Sequence, residues 1–139
     1  MGLVLHVPII EVPTWSALEI LLKQLKDKTN DNTLQILLAD ASDAAILYNK
    51  VNLTKSSIIV LGSEAGGLSD DARKICQNWG IMAGKSGAVN GNSGTVGENF
   101  SGLGQYIKIP MSNKVESLNA AIAGSIILSE VVRQRESLL

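Results

Sequence analysis

The sequence predicts a layered α/β domain with a mostly parallel sheet. Three observations lead there. Short β-favouring runs alternate with segments whose apolar residues recur at helical spacing. One run, Thr33–Ala39, is apolar almost throughout, as strands covered on both faces are. Two strand ends, near Leu61 and Ile109, are each followed by a small-residue or polar turn and then a helix. With 139 residues and 45% hydrophobic content, the chain suits a single domain, residues 1–139, that buries most of its apolar surface.

Taken in order, Gly2–Ile10 is apolar and β-branched enough for a buried strand, closed by Pro8 and Pro13. Ser16 with Glu19 three residues on forms a capping-box pattern. A helix to about Lys28 follows, with Trp15, Leu18, Leu21, Leu22 and Leu25 on its apolar face. Thr33–Ala39 is the next strand. Asp40–Leu53 is ambiguous, with room for a short helix around Ala44–Asn49. Ile58–Leu61 is a strand, Gly62–Gly67 a glycine-rich turn, and Ser69 caps a helix to about Asn78. Asp70 and Asp71 sit in its first turn, where carboxylates suit the helix dipole.

Gly80–Gly104 holds 8 of the 13 glycines, a composition that predicts a flexible insertion over about 80–105. Gly84-Lys85-Ser86 lies inside it. A phosphate-binding loop needs a glycine five residues earlier, where Trp79 stands. Tyr106–Ile109 is the last strand, ended by Pro110, which lacks a backbone donor. Helical periodicity then runs from Glu116 to about Gln134, with Leu118, Ala121, Ile122, Ser125, Leu128 and Val132 in one stripe. Ala120, Ala123 and Gly124 make its flank small enough for close backbone approach.

The corner before this helix carries polar chemistry. Ser117 is a natural cap, an effect of roughly 1 kcal/mol, and Asn119 stands in the first turn. Such a helix start after a strand end either binds a polar ligand or is an ordinary corner. The Gly62–Gly67 turn supplies a second wall for the same crevice.

Composition narrows the choices. Net charge is −1, so no global basic field advertises nucleic acid. Lys108, Lys114, Arg133 and Arg135 are a candidate local patch or a solvated face. One cysteine excludes an internal disulfide, and one histidine cannot build a zinc site alone. No metal is expected. The apolar runs are far short of a membrane span, so no membrane is expected. The N-terminus lacks a secretory signal, which points to the cytoplasm or an organelle.

LGSEAGG (Leu61–Gly67), then IPM (Ile109–Met111), then ESLNAAIAGSI (Glu116–Ile126) closely resemble motifs two and three of the SpoU (TrmH) family. These are RNA ribose 2′-O-methyltransferases of the SPOUT superfamily. The resemblance covers roughly Met1–Val132 apart from the insertion. It implies an α/β knot fold with a C-terminal trefoil knot, S-adenosylmethionine as methyl donor, tRNA or rRNA as substrate, and a homodimer. It implies donor contacts at Leu61, Gly62, Gly67, Ile109, Met111, Ser117 and Leu118. Glu64 and Asn119 match the motif acid and amide, and with Ser117 they are the candidate catalytic residues. The plain alternatives are a solvent-facing turn residue for Glu64 and a local helix-start hydrogen bond for Asn119.

One departure matters. The family carries a motif-one segment with an asparagine and an arginine, thought to activate the ribose hydroxyl, ahead of the region matched here. Met1–Pro8 resembles the segment just after it. The chain therefore reads as an N-terminally truncated domain lacking its first strand, first helix and following strand. Its three arginines are Arg73, Arg133 and Arg135. Two functions follow: the catalytic half of such an enzyme, or a non-catalytic cofactor-binding, RNA-binding or dimerisation module.

Overall fold

The computed structural model describes residues 8–29, 34–43, 45–82, 104–112 and 117–139. The expected strand over 2–7, the glycine-rich segment 83–103 with its Gly84-Lys85-Ser86 motif, Lys114 and Glu116 lie outside the described residues. The chain forms two compact units, Met1–Asn30 and Asp31–Leu139.

In the first unit, helix α1 spans Trp15–Thr29. Thr14 Oγ1 accepts from the Ala17 amide at 3.2 Å, so Thr14 caps the helix. The expected Ser16–Glu19 box does not form, because Ser16 already lies inside the first turn. Pro8–Ile10 are irregular and exposed rather than the end of a buried strand. Trp15 and Leu25, expected on a buried face, are exposed.

The second unit holds a four-stranded sheet. Strand β1 is Gln35–Ala39, β2 is Ile46–Leu47, β3 is Ser57–Val60 and β4 is Gly104–Lys108. Their order is β2-β4-β1-β3, and every pair is parallel. The last strand thus enters between β1 and β2. Where the sequence left room for a short helix, the chain forms β2 followed by a single 3₁₀ turn, Tyr48–Lys50. Two residues suffice for β2 because Ile46 and Leu47 pair with Ile107 and Lys108 at the sheet edge.

Helices α2 (Asp70–Met82) and α3 (Ala120–Glu136) cover the sheet. Ser69 Oγ accepts from the Ala72 amide at 3.2 Å, the cap its sequence position promised. Side chains alternate across a strand. Leu37 and Ile107 join Val51, Leu53 and Ile127 of α3 in one buried cluster, whereas Tyr106, on the other face, lies beneath Arg73 of α2. The two helices therefore pack on opposite faces. Fully burying a side chain such as Ile127 contributes roughly 1.5–3 kcal/mol.

The inward face of α3 is Gly124, Ile127 and Glu130. The stripe that periodicity picked out points elsewhere: Ala121, Ile122, Ser125, Leu128 and Val132 are exposed, and Leu118 is half-buried. The helix is apolar on most of its circumference, so period alone does not say which side meets the sheet.

The C-terminal turns of α3 are tied to the chain just before β3. Glu130 accepts from Arg133 Nε and Nη2, both at 2.7 Å, and from Gln134 Nε2 at 2.9 Å. Gln134 also accepts from the Leu53 amide at 2.8 Å and donates to the Val51 carbonyl at 3.1 Å. Arg133 first, then Gln134, hold the Glu130 carboxyl down to about 2 from its ordinary 4.5. A carboxyl whose pKa falls on folding stabilises the fold fully above its unfolded pKa, and that support fades as the pH drops through its folded pKa. Unfolding followed across the acid range should therefore show stability lost between pH 4.5 and about 2, with a smaller loss in Glu130→Gln. An unchanged acid profile in that variant would contradict the network's role.

Candidate functional site

Because all strands are parallel, their carboxyl ends lie together. Strand β1 is followed directly by Asp40, whose amide donates to the Ile107 carbonyl at 2.9 Å. On one side β3 runs into Leu61–Ser69, and on the other β4 runs into Ile109–Ser112. These two segments are the candidate walls of the crevice expected from the sequence, at the carboxyl ends of the strands where open α/β folds bind ligands.

The first wall is a tight turn. Ser63 and Gly67 exchange backbone hydrogen bonds, Ser63 N to Gly67 O at 3.0 Å and Gly67 N to Ser63 O at 2.9 Å. Ser63 Oγ accepts from the Gly66 amide at 3.1 Å. Gly67 has φ of 62°, a left-handed conformation that favours glycine. A Cβ on Gly62 would stand 2.2 Å from the Gly67 carbonyl carbon, so no larger residue fits there. The turn presents Glu64 at its exposed tip.

The start of α3 is joined to the first wall by one amide. Asn119 Oδ1 accepts from the Ala121 amide at 2.9 Å and the Ile122 amide at 3.3 Å, capping α3. Asn119 Nδ2 donates to Glu64 Oε1. Asn119 therefore makes the local helix-start bonds and also reaches Glu64 in the Leu61–Gly67 turn. Asn119, not Ser117, is the cap, because α3 begins at Ala120. Ser117 is exposed two residues earlier.

The other sequence-selected residues lie along these segments. Leu61 is partly exposed, and a Cβ on Gly124 would come within 2.9 Å of its Cδ1, so α3 passes close to the Leu61 side chain. Ile109 packs its side chain against the core cluster, leaving its backbone to line the wall. Met111 and Leu118 are half-buried.

Of the four residues named as a local patch or a solvated face, Lys114 lies outside the described residues and each of the other three has a hydrogen-bond partner. Arg133 is paired with Glu130. Arg135 donates to the Leu53 and Lys55 carbonyls at 3.3 and 3.1 Å. Leu53 and Lys55 precede β3, so both arginines lie at the amino end of the sheet, away from the crevice. Lys108 Nζ donates to the Asp43 carbonyl at 3.3 Å. Sequence reasoning missed Arg73, whose Nη1 donates to Asp40 Oδ2 at 3.0 Å and whose guanidinium carbon is 5.7 Å from the Tyr106 ring centre. Asp40 first, then Tyr106, raise the guanidinium pKa above its ordinary value. No local pattern links residues 33 positions apart; only the strand order does. Among the described residues no group of three or more His, Cys, Asp or Glu is placed to hold a metal, and no helix is long and apolar enough to cross a membrane.

No family model matches the chain. It is 30% identical over 107 residues to an uncharacterised tRNA/rRNA methyltransferase of Mycolicibacterium smegmatis, covering 77% of this chain and 25% of that protein. It is 29% identical over 134 residues to a Staphylococcus aureus protein named for the TrmH family of tRNA/rRNA methyltransferases, covering 96% of this chain and 40% of that one. The chain thus spans between a quarter and two-fifths of these relatives. Among solved structures, the Aquifex (A. aeolicus) TrmH/SpoU tRNA-modifying enzyme aligns with a TM-score of 0.52 and 26% identity over 84% of this chain and 45% of its own. The SpoU methyltransferase AviRb of Streptomyces viridochromogenes, in complex with AdoMet, aligns with a TM-score of 0.64 and 23% identity over 94% of this chain and 40% of its own. Over almost its whole length, the chain is a relative of the SpoU (TrmH) methyltransferases and shares their α/β fold with a parallel sheet.

Proposed function

We propose that this chain is the donor-binding and catalytic part of a SpoU-type RNA ribose 2′-O-methyltransferase acting on tRNA or rRNA with S-adenosylmethionine. The observation that carries the reading is the hydrogen bond from Asn119 to Glu64, which joins motif three to motif two across the crevice. A C-terminal trefoil knot belongs to the same reading, supported by the entry of β4 between two earlier strands.

The residues fit the donor. Leu61, Met111 and Leu118 offer apolar surface, and Gly62, Gly67 and Ile109 offer backbone where a Cβ at Gly62 would collide with the turn. Bound there, S-adenosylmethionine supplies an electrophilic methyl group on a sulfonium. The protein's part is mainly alignment, the largest lever in such a displacement. Asn119 holds the Glu64 carboxylate in one orientation over the crevice, where its charge complements a cation and its oxygens can orient an incoming hydroxyl. Ser117, exposed beside the capped helix start, offers a hydroxyl at the same corner. A homodimer through the exposed side of α3 completes the reading: Ile122, Leu128 and Val132 are more than half exposed there, at 52%, 57% and 53%.

The second reading is a binding module without catalysis. It is favoured by the placement of Arg133 and Arg135 at the far end of the sheet, which leaves neither at the crevice to activate a hydroxyl. Methyl transfer to RNA by the 139-residue chain would exclude it.

Substitutions at Asn119 separate the two jobs of its amide. Serine and aspartate both cap helices well, but neither donates to Glu64 as the amide does, and aspartate adds a like charge. Losing one hydrogen bond costs about 0.5–1.5 kcal/mol. Calorimetric titration with S-adenosylhomocysteine should show binding weakened roughly two- to tenfold in Asn119→Ser and further in Asn119→Asp, with melting temperatures near that of the parent. Tight binding by Asn119→Asp would count against the assignment. In sedimentation experiments the chain should run as a dimer that Leu128→Arg converts to a monomer; a parent that stays monomeric at high concentration contradicts the interface.

A further inference from the structure

Two of the three arginines hold the amino end of the sheet; the third, Arg73, stands at the carboxyl end. We propose that Arg73 is a positioning residue that braces the two walls of the crevice against each other. The proposal rests on the methyl-donor reading above.

Three placements support it. Arg73 lies in the first turn and a half of α2, which starts directly after the Gly62–Gly67 turn, so it moves with the first wall. Its Nη1 bonds to Asp40, which leaves β1 between the walls and is itself bonded through its backbone to Ile107. Its guanidinium lies over Tyr106, three residues before Ile109 on the strand that carries the second wall. One side chain thus touches the first wall's helix, the crevice floor and the second wall's strand.

The chemistry suits a planar fork. A guanidinium bonds to a carboxylate in its plane while its face lies on an aromatic ring, and a lysine ammonium cannot do both in the same way. Arg73 and Asp40 are partly exposed, with side chains 37% and 20% accessible. Exposed ion pairs contribute little to overall stability. The effect of this one falls on geometry, where a misplacement of about 1 Å already lowers function strongly.

The test titrates the full chain with S-adenosylhomocysteine and records a thermal melt on each sample. Arg73→Gln should bind about tenfold more weakly while melting within a few degrees of the parent. Arg73→Lys should fall between the two. Asp40→Asn should weaken binding too, and the Arg73→Gln/Asp40→Asn double variant should be no weaker than the worse single one, because both act through one pair. Parental affinity in Arg73→Gln overturns the proposal and leaves the donor site standing. So does a lower melting point with unchanged affinity, which marks a merely structural brace. If Arg73→Gln fails to fold, parental affinity in Arg73→Lys and Asp40→Asn overturns it equally. Failure of the parent chain to bind overturns the donor reading and this proposal together.

Discussion

A helix start leaves backbone donors without partners, and something must satisfy them. In this chain the Asn119 side chain does so with its oxygen, which obliges its nitrogen to point away from the helix. That nitrogen meets Glu64, which stands 55 positions earlier in the chain. The rest of the site follows from this division of one amide. The cap sets where α3 begins, and the bond ties the glycine turn to that helix start.

The constraint works only because the backbones come close. Gly62 leaves room for the Gly67 carbonyl, and Gly124 leaves room for Leu61. A side chain at Gly62 would collide with the backbone of the turn, and one at Gly124 would displace the end of the Leu61 side chain. Sheet order does the remaining work. With β1 between β3 and β4, residues from three distant parts of the sequence leave the sheet side by side. The opposite end of the sheet is held by a different network, in which Glu130, Arg133, Gln134 and Arg135 fasten α3 to the approach to β3. The amino end of this sheet is thus fastened by charge and amide.

Much of this was legible before the structure. Strands β1, β3 and β4, the Ser69 cap and the glycine turn all follow from local chemistry: apolar β-favouring runs, a hydroxyl before a helical period, and glycines where a turn must close. Glu64 and Asn119 were marked by motif resemblance. What was not legible has physical reasons. Ser117 and Asn119 are both good caps, and helical period does not end sharply enough to choose between them. Period alone does not say which side of α3 meets the sheet, because both sides are apolar, and Ile127 and Leu128 differ only in what lies opposite. Strand β2 is too short to carry a pattern, and it exists because β4 offers it a partner. The contact of Arg73 with Asp40 and Tyr106 depends on strand order, which no local signal encodes.

The central claim is that Glu64 and Asn119 act as one unit across the crevice. A double-mutant cycle with Glu64→Ala and Asn119→Ala, read as affinity for S-adenosylhomocysteine, tests it directly. Residues in one hydrogen-bonded unit show coupling energies of about 0.5–3 kcal/mol. The account predicts a coupling in that range, with the double variant little weaker than the worse single one. Strictly additive losses would mean that the two side chains act independently, and the joined-wall account would fail.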